Sequence, residues 1–305
     1  MRTYRFVFGT PVALDGTVVN IQQKVDTSKD NAYQVENGLQ IEFQVVKDNT
    51  EKSNKSYVTI YNLPDFIVDY LKTNIDKSLS GLLEAGYDGT NYQLFCGTIE
   101  YFEDSWDDKV ITRTTKFIFG DASQNLSKCN AARSYRAGTP IITVIKDLAA
   151  DLQLPIGRIV GISGTLDASV SFSGNTAQNL TNICTRYGAN FSVQDGAVYV
   201  TKTGKRFEQN ILYISPDTGL VGTPSPKQPT KNKKSKEKND ANQEDVGLEV
   251  KIRLYGPIIP ESTIYLDSLY YKGFYKVVRL EHNGTYEGGD WVTKLTVVET
   301  TGTLV

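Results

Sequence analysis

Any acid–base chemistry in this chain would have to start from one histidine. His282 is the only imidazole among 305 residues, and it stands in "LEHNGTYEGGDWVTKLTVVE" with Glu281 beside it and Asp290 further on. A general base needs a partner within hydrogen-bond reach and a group that orients it. Glu281 is adjacent, so in an extended chain it faces the other side. Asp290 could approach across a hairpin. Against this, Asn283-Gly284 and Gly288-Gly289 are strong bend signals, and Trp291-Val292 begin a new strand. The residues read as a strand-end histidine beside a loop.

The other clusters lead to the same place. Asp104, Asp107 and Asp108 gather in "EDSWDDK", but calcium needs six or more oxygens at fixed loop spacing, and an acidic turn tip explains them. Lysines between Lys231 and Lys238 are interleaved with Glu237 and followed by Asp240, Glu244 and Asp245. Such local compensation predicts a solvated loop rather than a nucleic-acid arm. Cys96, Cys129 and Cys184 are odd in number and form no CxxC pair, so buried free thiols in a chain made in a reducing cytoplasm are expected. No glycine-rich phosphate loop, GxSxG elbow or HExxH pattern occurs. Asn283-Gly284-Thr285 is a glycosylation sequon in form only. The sequence therefore predicts no catalytic, cofactor-binding or metal-ligating residue, no cofactor, and no enzyme.

Composition excludes further classes. Hydrophobic residues make up 39% and charged residues 22%, with a net charge of −2, which gives no global pull toward nucleic acid or an anionic membrane. "MRTYRFVFGTPVALDGTVVN" is broken by Gly9, Pro11 and Asp15, so it reads as neither a signal peptide nor a membrane span. Tyrosine is abundant, at 18 residues, and suits strand faces and subunit interfaces.

The elements that would position these residues are mostly strands: the expected class is α+β, mainly β. Residues 1–120 read as β with one helix. In "LQIEFQVV", Leu39, Ile41, Phe43 and Val45 alternate with polar residues. "PDFIVDYLKTNIDK" switches to helical period, and Asp88-Gly89 marks a hairpin. Residues 121–205 read as a small α/β module. One helix carries Ile141, Ile145, Leu148 and Leu152, with Thr139 as its cap and Pro140 as its first residue. A second ends at Gly188, and Asp195-Gly196 forms a hairpin tip. Residues 206–305 return to β, with "YKG" and "HNGTYEGGD" as turns and a disordered loop expected at about 226–245, where nothing apolar could offset ordering. Two β regions thus flank a module, and a repeated β architecture is conceivable without residue identity between the copies. The module's segment 135–161 has the look of a LysM motif, which would imply wall binding; a capped helix explains the same residues.

Taken in order, four segments make the chain resemble the baseplate hub proteins of phage tails, the late control protein D-like and Mu-like contractile-tail hubs. "YVTIYNLPDFIVDYLK" looks like the strand, Asn-Leu and helix of a first tube-like domain. "LLEAGYDGTNYQLFCGTIEYF" looks like its following strand pair. "GTPIITVIKDLAADL" with "GNTAQNLTNICTRYGANFSVQDGAVYV" is similar to the middle module. "LVGTP", "LYGPIIPESTIYLDS" and "YKVVRLEHNGTYEGGDWVTKLTVV" look like a second tube-like domain, the last holding the H-x-G-x-x-x-x-x-D-W closing hairpin. The lysine-rich insert departs from that pattern.

The resemblance implies two tube-like antiparallel β-barrel domains flanking the module. It implies a homotrimeric, non-enzymatic adaptor in the virion tail baseplate that matches a six-fold tail tube to a three-fold central spike. The partners implied are the tail tube protein and the central spike protein, with tape-measure and baseplate wedge proteins beyond them, and neither membrane nor specific nucleic acid. The spike would be a separate chain. The alternatives are a cell-wall-binding or wall-degrading tail component, and the hub of a phage-related contractile injection machine.

Overall fold

A computed structural model describes residues 1–9, 32–50, 53–77, 79–107, 112–205, 207–227 and 247–300. It is mainly β, with 55% strand and 18% helix. The stretch expected to be disordered lies outside the described residues from 228 to 246, as do Lys231, Lys238 and Asp108.

The first region holds β1 (Arg2–Gly9), β2 (Ala32–Glu36), β3 (Ile41–Asp48), β4 (Lys55–Tyr61), α1 (Asp65–Asn74), β5 (Ser80–Tyr87), β6 (Thr90–Asp107) and β7 (Thr112–Gly120). Alternation decides which faces turn inward. Tyr4, Phe6 and Phe8 of β1 pack with Phe117 and Phe119 of β7, Ile41, Phe43 and Val45 of β3, and Ile67, Val68 and Leu71 of α1. Asp88 and Gly89 both take positive φ, +51° and +82°, as the expected tight hairpin requires.

The module holds α2 (Ser123–Lys128), β8 (Asn130–Tyr135), α3 (Ile141–Asp151), β9 (Ile156–Val160), β10 (Val170–Asn175), α4 (Thr176–Arg186), β11 (Ala189–Gln194) and β12 (Ala197–Lys202). It has its own core of Ile141, Val144, Ile145 and Leu148 from α3 against Leu180, Ile183 and Cys184 from α4. Thr139 does not cap α3. Its hydroxyl donates to the Arg136 carbonyl, and Pro140 occupies the cap position. β8 pairs with β10 whereas β9 pairs with β12, so the strands on either side of α3, within and beside residues 135–161, belong to different sheets.

The last region holds β13 (Phe207–Ile214), β14 (Ser225–Pro226), β15 (Leu248–Arg253), β16 (Ser262–Asp267), β17 (Lys272–Thr285) and β18 (Trp291–Glu299). A third core collects Val250, Ile264, Leu266, Val277, Leu280 and Leu295. Two turns fall elsewhere than expected. β16 and β17 are joined by Ser268–Tyr271, fastened by bonds between Ser268 and Tyr271, while Lys272 and Gly273 already belong to β17. Likewise β17 runs through His282, Asn283 and Gly284, and only Tyr286–Asp290 turn.

First and last regions share one 13-stranded sheet, ordered β14-β15-β18-β17-β3-β4-β7-β6-β5-β1-β2, with β16 on β17 and β13 on β16. Among the described residues this path does not close on itself. Within it one order of neighbours occurs twice: β4-β7-β6-β5 and β15-β18-β17-β16, antiparallel throughout. Both long strands carry a register shift at the same place, between Ile99 and Tyr101 in β6 and between Val277 and Arg279 in β17. The outer strands differ: β1 is antiparallel to β5, whereas β13 is parallel to β16.

Candidate functional site

The residues with chemical potential converge where the three regions meet. β17 lies on β3, with His282 opposite Val45 and Leu280 opposite Lys47. His282 is therefore an interior strand residue, fully buried, and not a strand-end residue beside a loop. The bend signal at Asn283-Gly284 is overridden because both edges of β17 are paired there, by β3 and β18. Gly284 serves another need. A Cβ on it would lie 2.1 Å from the ring of Phe43, so glycine is what lets β3 approach.

His282 Nδ1 meets the Thr293 hydroxyl at 2.8 Å, while Nε2 has no hydrogen-bond partner. Burial, and secondarily the positive charge of Lys47, push its pKa down to about 3, so the ring is neutral. Asp290 is not its partner: that carboxylate pairs with Lys251 at 3.0 Å. Glu281 faces the other side of the strand and accepts from Gln44 and Asn283. Among the described residues the ring's one hydrogen-bond partner is thus the Thr293 hydroxyl, and no carboxylate orients it.

Lys47 is the unexpected member. It falls in the buried phase of β3 after Ile41, Phe43 and Val45, and is 2% exposed. Its ammonium pairs with Asp195 at 2.6 Å. Asp195 is the tip of the β11–β12 hairpin, where it and Gly196 take φ of +51° and +76°. The tip enters the β body rather than solvent. The Asp121 carboxylate accepts the N–H groups of Asp195 and Gly196 at 2.8 and 2.7 Å, and the Cys96 N–H donates to Asp195 at 3.2 Å. Asn54 donates to the carbonyl of Val193 and the side chain of Gln194. Burial, then the negative charge of Asp195, raises the Asp121 carboxyl above the usual carboxylate range. Burial, then Asp195, raises the Cys96 thiol. This arrangement clamps the module to the sheet; its lysine is ion-paired and its thiol protonated. An inward-phase lysine in an apolar strand was the available sequence signal.

Of the acidic cluster, the side chain of Asp104 is described, and it sits in β6 rather than in a turn. Asp104 is held by Arg113 through two bonds of 2.8 Å, accepts from Thr115, and lies 3.9 Å from Lys72. Arg113 also pairs with Asp65 at the start of α1. The closing hairpin instead locks the two β regions. Trp291 of β18 is buried in the first core and donates to the Gly86 carbonyl at 3.0 Å; its own carbonyl accepts from Tyr87 at 2.9 Å. Arg2 donates to the carbonyls of Thr285 and Gly289 across the hairpin turn.

Three clefts flank these junctions, one of them, about 450 Å³, lined by Phe43, Gln44, Asn283, Gly284 and Asp290. Another of about 160 Å³ is lined by Asn49, Tyr199, Lys202, Lys205, Glu261 and Lys276. The third, about 390 Å³, lies between the β regions and carries Tyr87, Tyr92, Arg253 and Tyr255, with the Arg253 guanidinium 4.5 Å above the Tyr87 ring. None of His282, Lys47, Asp121 or Asp195 lines any of them.

No protein-family model and no curated protein matches this sequence. Solved structures do. The 43 kDa tail protein of prophage MuSo2 from Shewanella oneidensis superposes with a TM-score of 0.61 at 10% identity, over 88% of this chain and 94% of that one. This chain has the fold of phage tail proteins. A tail protein from Neisseria meningitidis gives 0.56 at 13% identity over 86% of this chain and 96% of that one. An Escherichia coli type VI secretion component, itself described as similar to the bacteriophage T4 tail proteins gp27 and gp5, gives 0.58 at 8% identity, over 86% and 74%.

Proposed function

We propose that this chain is a structural subunit of a phage-type tail: the baseplate hub, three copies of which form a ring between a six-fold tube and a three-fold spike. The observation that carries the reading is the strand order that occurs twice in one continuous sheet. A chain with two like β units presents six such units in a trimer, while its own contacts remain three-fold. The two units then act as the tube-like domains, with the module clamped to them by Lys47, Asp121 and Asp195. The likeness to tail proteins supports the same role. The residues at the junction serve adhesion, and the function is mechanical: matching symmetry and passing on assembly.

End-on electron-microscope class averages of the purified protein test this. Three-fold rings with six lobes and an axial hole are expected. Monomers at every concentration overturn it. The likeness to a type VI secretion component favours a second reading, the hub of a contractile injection machine; binding to a phage tube protein but not to a secretion tube protein separates the two.

A further inference from the structure

β17 and β6 occupy like places, yet among the described residues only β17 is paired along both edges. β17 gives one edge to β18. It divides the other edge between β16, over residues 272–276, and β3, over residues 279–285. β6 gives one edge to β7 and its other edge to β5, up to Thr98. Beyond Thr98, no strand among the described residues takes that second edge. It carries two large exposed aromatics, Tyr101 at 54% and Trp106 at 58%. An edge of this length with exposed aromatics is a template for another strand.

The register identifies the strand that fits. Tyr101–Ile118–Tyr57 and Arg279–Thr296–Glu249 are like rows across the two units, and so are Asp104–Thr115–Ile60 and His282–Thr293–Ile252. Outside Ile60 lies Ile41 of β3; outside Ile252 lies Leu220. Gln44 opposite Tyr57 corresponds to Ser225 opposite Glu249. The counterpart of β3 is therefore the segment from Leu220 to Lys227, which includes β14 and has two more residues between the matched positions than β3 has. Within the chain, β3 is the strand that takes the second half of β17.

We propose that residues 103–107 of β6 pair antiparallel with residues 223–227 of a second copy of this chain, repeating between copies the contact that β17 and β3 make within one. This deepens the hub reading and rests on it. By the in-chain register of Asn283 on Gln44 and Glu281 on Val46, Ser105 faces Ser225 and Glu103 faces Lys227. Opposite charges thus meet across the joint. Lys227 N–H donates inward to Gly247, so alternation turns Pro226 outward, where it has no N–H to offer. Pro226 can accept there through its carbonyl from an N–H of β6, and its missing donor blunts the edge against pairing with a second copy of itself. The contact is head-to-tail, which is the type that closes into rings.

Charge reversal and cross-linking test the pairing on the full chain. Glu103→Lys and Lys227→Glu are each expected to weaken assembly about tenfold in sedimentation across a concentration series, and the two together to restore it. Chains carrying Ser105→Cys mixed with chains carrying Ser225→Cys should form a disulfide-linked pair that neither forms alone, with far-ultraviolet circular dichroism checking that each variant folds. A trimer that tolerates Glu103→Lys and gives no cross-link overturns this pairing and leaves the hub reading standing. A wild-type chain that stays monomeric overturns both.

Discussion

His282 and Asp104 occupy the same place in the two halves of the sheet. Each lies three residues beyond the register shift of its long strand, and each faces a threonine on the neighbouring strand, Thr293 and Thr115. Each also bonds that hydroxyl, at 2.8 and 3.1 Å. What differs is the cover. β3 and β18 flank His282, which is completely buried, and its ring is neutral. Asp104, beside an edge that no described strand takes, remains charged against Arg113, which holds its carboxyl below the usual range. One position is thus apolar or charged according to whether a strand lies over it.

The clamp predicts a large, asymmetric mutational response. Lys47→Ala leaves Asp195 buried opposite Asp121 without a counter-ion, and should cost about 3–5 kcal/mol. Replacing both partners, as Lys47→Met with Asp195→Ser, should cost less than Lys47→Ala alone. Urea unfolding curves of the three variants check this, with the module expected to become protease-sensitive first in Lys47→Ala.

Two buried groups should set the pH dependence of stability with opposite signs over much of the same window. His282 has a folded pKa of about 3 against about 6.5 unfolded; the unfolded chain takes up a proton first, so stability is lost as pH falls below about 6.5. Asp104, lowered by Arg113, adds to that loss below about pH 4. Asp121 has the opposite sign: its raised folded pKa means that stability is lost as pH rises from about 4 through that value. From about pH 4 to 6.5 the two effects oppose each other, so thermal midpoints should fall with rising pH there in His282→Leu and rise with pH in Asp121→Asn.

Trp291 ties the last strand to the first core. Trp291→Ala removes a buried indole and leaves the Gly86 carbonyl without its donor, for an expected loss of about 3–5 kcal/mol. Gly284→Ala forces Cβ into the Phe43 ring and should cost about 1–3 kcal/mol. Gly284→Ala with Phe43→Leu should recover part of that loss. Calorimetric melts of these variants measure both effects.

Thiol reactivity should follow burial. Cys96 and Cys184 are buried, with the Cys184 thiol pushed up to about 12. Cys129 is half-buried. Under native conditions a soluble disulfide reagent should label Cys129 alone, and all three after unfolding. Rapid native labelling of Cys96 would show that the hairpin tip leaves its seat.

The sequence by itself determined most of the local structure, because alternation and helical spacing are short-range signals. Ile41, Phe43 and Val45 point inward as their spacing requires, Ile141, Ile145 and Leu148 line α3, and Asp88-Gly89 and Asp195-Gly196 turn where they should. Tertiary structure decided the rest, because a local signal cannot say what lies opposite it. Asn283-Gly284 stayed extended because β3 and β18 hold both edges. The tip at Asp195 became a buried anchor because Lys47 and Asp121 receive it from strands far away in sequence. His282 became a buried, neutral core residue because β3 and β18 flank it, while its counterpart Asp104 kept its charge beside an edge that no described strand covers.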